Sequence, residues 1–130
     1  MEARTILANS ILIIDDSSVM RRALHRLFES TPEWEVCGEG VDGIDGIEKA
    51  RRLKPDVVVL DMSMPGMDGI AVAKELKIQM PSLPIVMFTN FAEDQFLTNE
   101  VLASGISKIV SKADSQALIH AVEQVLISER

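Results

Sequence analysis

The sequence predicts an α/β fold in which a parallel sheet of five strands lies between two layers of helices. Two observations predict it: short apolar runs recur at a regular interval, and the stretches between them carry apolar residues at helical spacing. The runs lie near Ile13, Val36, Val59, Val86 and Ile109, about 23 to 27 residues apart. Strands that alternate with amphipathic helices are typical of repeated β-α units. We therefore expect one domain with five such units.

The strands of the first two units have different side-chain patterns, which predict different positions in the sheet. The first strand, residues 11–14, is continuously apolar, whereas residues 34–38 alternate between apolar and polar side chains, which is typical of an edge strand. Between these strands lies a helix whose predicted apolar stripe consists of Met20, Ala23, Leu24, Leu27 and Phe28. The second strand is therefore expected at one edge of the sheet.

The third and fourth strands are predicted to lie in the centre of the sheet, and the residues around them mark where strands and helices begin and end. Residues 57–60 and 85–88 are continuously apolar, as expected for parallel strands covered by helices on both faces. Gly105 stands where the fourth helix should end. Pro55 stands just before the third strand, and Pro81 and Pro84 stand just before the fourth. The last helix carries an apolar stripe that consists of Leu118, Val122, Val125 and Leu126.

Composition excludes several classes of protein. The hydrophobic fraction of 47% and the charged fraction of 25% are ordinary for a globular domain, and the single cysteine, Cys37, excludes a disulfide framework. No apolar run approaches the roughly 20 residues of a membrane span, and no signal peptide fits. We therefore expect a soluble, cytoplasmic protein without a membrane partner. The net charge of −7 also argues against direct binding of nucleic acid by this domain.

Chemically distinctive side chains stand at the ends of four predicted strands. Asp15 and Asp16 follow the first strand, Asp61 the third and Lys112 the fifth, and Thr89 ends the fourth. The second strand ends with no such residue. In an open parallel sheet the carboxyl ends of all strands lie at one edge. With the strand order 2-1-3-4-5, these five side chains would meet in one crevice.

Three carboxylates in one crevice repel one another unless cations compensate their charge. A Mg²⁺ ion together with Lys112 would cancel the formal charge. This ion prefers oxygen ligands and usually completes its octahedron with water or a phosphate oxygen. A carboxylate can attack phosphorus and form an acyl phosphate, and Thr89 can offer its hydroxyl to a phosphoryl oxygen. The cluster therefore predicts a site for Mg²⁺ (or Mn²⁺) that is prepared for a phosphoryl group.

Four stretches make the sequence resemble a receiver domain of bacterial response regulators, the CheY-like module of two-component signalling. They are residues 13–17 (IIDDS), 61–69 (DMSMPGMDG), 88–89 (FT) and Lys112. The stretches 36–40 (VCGEG), 42–43 (DG) and 54–56 (KPD) resemble the NarL/FixJ subgroup, whose receivers often precede a helix-turn-helix output domain. The resemblance implies the flavodoxin-like (βα)5 fold and places the receiver domain at residues 10–128. Residues 1–9 would be an N-terminal segment and residues 129–130 the C-terminal end. The sequence leaves open whether the receiver stands alone or precedes an output domain.

The resemblance also implies a role for each residue of the crevice. Asp61 would accept the phosphoryl group from a histidine kinase or a phosphotransfer protein. Thr89 would be the switch hydroxyl, and Lys112 would contact the phosphoryl group. The ligands of Mg²⁺ would be Asp15, Asp16, Asp61 and the backbone carbonyl of Ser63. Phosphorylation would then change the face formed by the fourth helix, the fifth strand and the fifth helix, which would bind an output domain, a partner protein or a second copy of the chain.

Two departures from the pattern of the family bear on the predicted switch and on access to the site. Ile109 stands where many receivers have an aromatic switch residue, so the switch would depend on Thr89 and on backbone motion. Asn90 stands where Ala is frequent, and the bulk of Asn90 and Phe91 would restrict access to Asp61. We therefore expect slow self-dephosphorylation.

Other interpretations of the same residues stay open at this stage. Asp16 could serve only as an N-cap of the first helix, Asp61 as a turn residue, and Lys112 as a solvated lysine. The chain could also be a pseudo-receiver, an interaction module that is not phosphorylated. A phosphohydrolase of the haloacid-dehalogenase type is disfavoured because residue 61 does not begin an Asp-x-Asp pattern and because the chain is too short for a substrate cap. We therefore expect a signalling domain and not an enzyme that turns over an external substrate.

Overall fold

The computed structural model describes residues 8–128, in which strands and helices alternate as the sequence predicts. The elements are β1 (Asn9–Ile14), α1 (Ser18–Glu29), β2 (Trp34–Gly40), α2 (Gly43–Leu53), β3 (Val57–Leu60), α3 (Gly69–Gln79), β4 (Ile85–Thr89), α4 (Gln95–Ala103), β5 (Lys108–Ser111) and α5 (Ser115–Ser128). Asn9 already belongs to β1, and residues 1–7 and 129–130 lie outside the described part. Within residues 8–128, no helix is both long enough and apolar enough to cross a bilayer.

The five strands form one parallel sheet in the order β2-β1-β3-β4-β5, which confirms the predicted fold class and the edge position of β2. Ile14 pairs with Gly40 on one side and with Leu60 on the other, and Thr89 pairs with Ser111. The strands therefore end close to the same level. Any side chain that directly follows a strand is held at the carboxyl edge of the sheet.

The core consists of two apolar layers, one on each face of the sheet. Side chains alternate along a strand, so Ile11 and Ile13 face the layer under α1 and α5, whereas Leu12 and Ile14 face the layer under α2, α3 and α4. All four are fully buried. Each such side chain contributes roughly 1.5–3 kcal/mol when it is removed from water. The sheet is thus a rigid support for the loops at its edge.

The helical stripes are largely as predicted, with one difference. Leu24 and Phe28 of α1 are buried, and the four predicted stripe residues of α5 are buried as well. Ala23, however, is exposed, so its inclusion in the α1 stripe was wrong. Residues at helical spacing i and i+3 share a face only approximately, and the contact of α1 with the sheet is narrower than the apolar pattern.

The structure also shows which residue caps α1 and which residue follows the end of α4. Ser17 is the N-cap of α1, and its hydroxyl accepts a hydrogen bond from the backbone N–H of Met20. The interpretation of Asp16 as the cap is therefore wrong, and its carboxylate is available for another purpose. Gly105 has a positive φ of 98° two residues after the end of α4, which confirms the predicted stop.

Candidate functional site

The carboxyl edge of the sheet brings together the five side chains that the strand order predicts there. Asp61 follows β3, and its backbone N–H donates to the carbonyl of Ile14 at 2.9 Å. Lys112 follows β5, and its backbone N–H donates to the carbonyl of Thr89, also at 2.9 Å. Both residues extend the hydrogen-bond ladder of the sheet, so their side chains start from fixed backbone positions.

Three carboxylates share this edge. Each of Asp15, Asp16 and Asp61 offers a carboxylate oxygen, and these oxygens lie within 4.8 Å of one another. Asp15 and Asp61 are buried, with 2% and 6% of their surface exposed, whereas Asp16 is exposed at the mouth. Hard oxygen donors of this kind, with one side open to water, fit a divalent cation such as Mg²⁺. The residues present therefore fit the metal that the family resemblance implies.

Lys112 joins the two buried carboxylates. Its Nζ atom lies 3.2 Å from Oδ2 of Asp15 and 3.1 Å from Oδ1 of Asp61, and only 13% of its side chain is exposed. An ammonium in this position offsets one of two charges that would otherwise face each other in a poorly solvated site. Lys112 is therefore not a solvated surface lysine.

The surroundings change the acidity of both partners. Burial raises the pKa of Asp61, as does the charge of Asp15, while Lys112 and the backbone N–H of Ser63 act in the opposite direction. Burial by itself lowers the pKa of Lys112. The hydrogen bond to Asp61 and the charges of both carboxylates outweigh that effect, so the pKa of Lys112 lies above its ordinary value. The ammonium therefore stays charged at neutral pH, and the Asp61 carboxylate is more basic than usual.

Thr89 completes the row of strand-end residues. It is buried, with 3% of its surface exposed, and its Oγ1 accepts a hydrogen bond from the backbone N–H of Phe91 at 3.1 Å. A hydroxyl that accepts in this way keeps its own proton to donate. Asn90 and Phe91 begin the loop to α4; Asn90 is exposed, and 49% of Phe91 is exposed. Ile109 is half-buried against the apolar layer under α2, α3 and α4.

The loop between β3 and α3 packs tightly beneath Asp61. Asp68 is the N-cap of α3, and its carboxylate accepts from the backbone N–H of Ala71 at 2.9 Å. Gly69 donates its N–H to the carbonyl of Met62 at 2.8 Å. A Cβ atom at Gly69 would collide with the backbone carbonyl of Asp61. Glycine is therefore required here for space, and this close approach fixes the backbone of the carboxylate.

The sequence analysis missed two residues next to the site. Arg21 donates from its NH1 group to the backbone carbonyl of Asp15 at 2.7 Å, and from Nε to Glu39 Oε1 at 2.8 Å. Glu39 lies at the end of β2, which the sequence analysis described as lacking a distinctive residue. An acid at that strand end together with an arginine in the first turns of α1 was the available signal.

The comparisons with known proteins identify the family. The model of the response regulator receiver domain matches residues 11–123. The chain belongs to the response regulator receiver domain family. This assignment confirms the resemblance on which the interpretation of residues 61–69 and their partners rests, and it makes the chain a domain of a family that serves two-component signalling.

Two relatives are similar to this receiver domain over most of its length. It is 36% identical over 102 residues to a protein-glutamate methylesterase/protein-glutamine glutaminase of Geobacter sulfurreducens, covering 78% of this chain and 28% of the relative. It is 35% identical over 109 residues to the response regulator protein VraR of Staphylococcus epidermidis, covering 84% and 52%. The chain thus spans about half or less of the length of these two relatives.

A solved structure confirms the fold. The receiver domain superposes on a two-component response regulator of the LuxR family from Aurantimonas sp. with a TM-score of 0.88. The two chains are 27% identical, and the match covers 95% of this chain and 88% of the other. The resemblance to NarL/FixJ-type receivers is therefore confirmed at the level of fold and family.

Proposed function

We propose that this receiver domain accepts a phosphoryl group on Asp61 from the phosphohistidine of a histidine kinase or a phosphotransfer protein. The observation that carries the proposal is the ion pair of Lys112 with both Asp15 and Asp61. A turn residue or a helix cap would not need a buried ammonium between two carboxylates. A phosphoacceptor site does, because a second anion, the phosphoryl group, must approach an anion that is already there.

The transfer follows from the positions of these side chains. An oxygen of Asp61 attacks the phosphorus in line, the bond between phosphorus and the histidine nitrogen breaks, and the imidazole leaves with the electron pair. Lys112 exchanges one carboxylate contact for a phosphoryl oxygen, and Thr89 donates its hydroxyl proton to another. Asp15, Asp16, Asp61 and the carbonyl of Ser63 would hold Mg²⁺. When bound, this ion offsets the charge of the acceptor and of the phosphoryl oxygens.

Phosphorylation would then bias two conformations that already exist. Thr89 moves toward the phosphoryl group, and the face of α4, β5 and α5 repacks because the β4–α4 loop begins at that residue. Ile109 of this face is apolar and half-buried, so it offers no phenol or benzyl ring to rotate into the space that Thr89 leaves. The rearranged face binds an output domain, a partner protein or a second copy of the chain.

We also propose that the bulk of Asn90 and Phe91 slows loss of the phosphoryl group. Both residues directly follow Thr89, and both expose side chain at the edge of the sheet from which water would attack. Phe91→Ala should shorten the phosphoryl half-life, with Phe28→Leu in the core as a control that leaves it unchanged. A half-life of only seconds that stays the same in Phe91→Ala would contradict this proposal.

The proposal also covers the cellular location of the domain, its lack of enzymatic turnover and the kind of contact through which it acts. We place the domain in the reducing cytoplasm, as the single cysteine favours. The domain acts as a phosphoacceptor that dephosphorylates itself and not as an enzyme on an external substrate. Its net charge of −7 supports an output through protein contacts and not through direct contact with nucleic acid.

The test is covalent labelling by a small phosphodonor such as acetyl phosphate in the presence of Mg²⁺. We expect the wild-type chain to gain one phosphoryl group and Asp61→Asn to gain none. Asp56→Asn, at the other end of β3, changes the same charge and should label normally. Normal labelling of Asp61→Asn would reject Asp61 as the acceptor, and a wild-type chain that is never labelled by acetyl phosphate or a kinase would favour the pseudo-receiver interpretation.

A further inference from the structure

Arg21 is a charged residue in an unusually enclosed position. It lies in the first turn of α1, yet only 14% of its side chain is exposed. A guanidinium that is removed from water to this extent requires partners with matching geometry. The two partners belong to separate segments: the backbone carbonyl of Asp15, before α1, and the carboxylate of Glu39, near the end of β2.

The contact with Asp15 has a particular geometry. Arg21 reaches the backbone carbonyl, while Oδ1 of the same residue accepts from the N–H of Ser17 at 2.9 Å and Oδ2 faces Lys112. The guanidinium therefore fixes the turn that carries the carboxylate without occupying either carboxylate oxygen. The contacts of Asp15 with Arg21 and Ser17 therefore use other atoms than its contact with Lys112.

Glu39 is itself held by a residue of α2. Its backbone carbonyl accepts from Nζ of Lys49 at 2.6 Å, and Lys49 pairs with Asp45 at 3.2 Å within α2. The carboxylate of Asp45 also accepts from the backbone N–H of Val41 at 3.0 Å, just after β2. This series of contacts connects α2 and the end of β2, through the guanidinium, to the turn of Asp15.

We infer that Arg21 is a positioning residue for the metal ligand Asp15, with Glu39 as the anion that holds and neutralises it. The inference rests on the proposed function, because it requires that Asp15 binds Mg²⁺. Positioning and simple electrostatics make opposite predictions here. A positive charge close to a cation site opposes Mg²⁺, so removal of Arg21 would tighten binding if its charge were its only effect. If Arg21 orients Asp15, the same removal weakens binding.

The experiment is calorimetric titration of Mg²⁺ into the folded protein at neutral pH, without any phosphodonor. Arg21→Gln should raise the Kd for Mg²⁺ roughly tenfold, the typical effect of losing a group that orients a metal ligand. Arg21→Lys keeps the charge and the aliphatic stem but cannot form the planar two-armed contact, so it should also raise the Kd, by roughly threefold or more. The matched controls are Arg22→Gln and Arg22→Lys, at the exposed neighbouring position, which should leave the Kd within about twofold.

Each outcome has a definite meaning. An unchanged or lower Kd in Arg21→Lys, with the controls also unchanged, would overturn the positioning role. If Arg21→Gln does not fold, Arg21→Lys alone decides. A role only in stability predicts a lower free energy of unfolding without Mg²⁺ and an unaltered Kd, and that result also overturns the inference. A wild-type chain that takes up no Mg²⁺ would overturn the proposed function, and the inference with it. Failure of the inference alone would instead show as Mg²⁺ binding by the wild type that Arg21→Lys leaves unchanged.

Discussion

The two ends of β3 carry the same residue type in opposite circumstances. Asp56 precedes the strand at the amino edge of the sheet; it is exposed and accepts hydrogen bonds from the backbone N–H and the hydroxyl of Ser10 at 2.8 and 3.3 Å. Asp61 follows the strand at the carboxyl edge; it is buried and faces Asp15. The first carboxylate is satisfied by neutral donors and connects two strands. The second requires an ammonium, because its neighbour repels it.

Residue type alone therefore does not decide what a carboxylate at a strand end requires. In a parallel sheet the side chains that follow the strands converge in the crevice outside their carboxyl ends. At that edge, like charges are held together by backbone that cannot relax, and the repulsion remains until a cation compensates it. The carboxyl edge of this receiver domain therefore carries an electrostatic repulsion that the amino edge of β3 does not.

The largest expected effect comes from removing the ammonium. Lys112→Met leaves two carboxylates facing each other, so we expect the free energy of unfolding to fall by about 2 kcal/mol at neutral pH without Mg²⁺. Labelling of Asp61 by acetyl phosphate should fall at least tenfold, because the approaching anion loses its compensating charge. Chemical denaturation and labelling rates measure the two effects.

The matched control lies at the other end of the same strand. Lys108 begins β5 at the amino edge and is exposed, so Lys108→Met should change stability by no more than about 0.5 kcal/mol and leave labelling intact. If the two substitutions had equal effects, a positive charge at the carboxyl edge would contribute no more to stability and labelling than one at the amino edge.

A smaller effect is expected from the glycine beneath the acceptor. Gly69→Ala places a Cβ atom against the backbone carbonyl of Asp61, so we expect about 1–2 kcal/mol of lost stability together with slower labelling. Gly66→Ala, in the same loop, has open space around it but a φ of 80°, so it should cost about 1 kcal/mol and leave labelling unchanged. Normal labelling of Gly69→Ala would mean that the loop does not fix the carboxylate.

The smallest effects give the sharpest contrast, because one substitution should have opposite signs at the two ends of β3. Asp61→Asn removes the charge that Asp15 repels, so without Mg²⁺ we expect a gain of about 1 kcal/mol in the free energy of unfolding. Asp56→Asn weakens the hydrogen bonds from Ser10, so we expect a loss of about 1 kcal/mol. Two losses of similar size in denaturation experiments would reject the account of Asp61 as a destabilising charge.

The gain from Asp61→Asn should depend on pH in a defined direction. The pKa of Asp61 is raised in the folded chain, so the folded state binds the proton more tightly than the unfolded state. Below the ordinary carboxyl pKa of 3.8 the group is protonated in both states and costs nothing. The cost appears as the pH rises above that value and is complete above the folded pKa. The stability difference between the wild type and Asp61→Asn should therefore grow from pH 4 to pH 7, and a constant difference would contradict the raised pKa.

Much of this architecture could be predicted from residues alone. The period of the apolar runs predicted five β-α units, and the polar residues at the strand ends predicted which side chains share an edge. Strand ends are predictable because a local pattern determines them, and because parallel strands in one sheet must all finish on the same side. The roles of Asp61, Thr89 and Lys112 in phosphoryl transfer remain predictions.

What the sequence left open or missed has one physical cause, the dependence on contacts between distant segments. Asp16 and Ser17 are both good cap residues, so capping by Asp16 stayed an open alternative until the structure identified Ser17 as the cap. Ala23 fits the helical period, but it lies outside the face of α1 that packs on the core and is exposed. Arg21 and Glu39 are 18 positions apart, and each is an ordinary charged residue in its own segment.

The class of fold, the order of its elements and the set of residues at the carboxyl edge follow from the amino-acid sequence, because they depend on periodicity and on strand ends. How those residues are satisfied follows only from the folded chain, which places the ammonium of Lys112 between two buried carboxylates and the guanidinium of Arg21 on the turn of Asp15. The reason is that burial and the direction of a long side chain depend on residues that are distant along the chain. Their charges interact strongly only after folding has brought them together and removed the water between them.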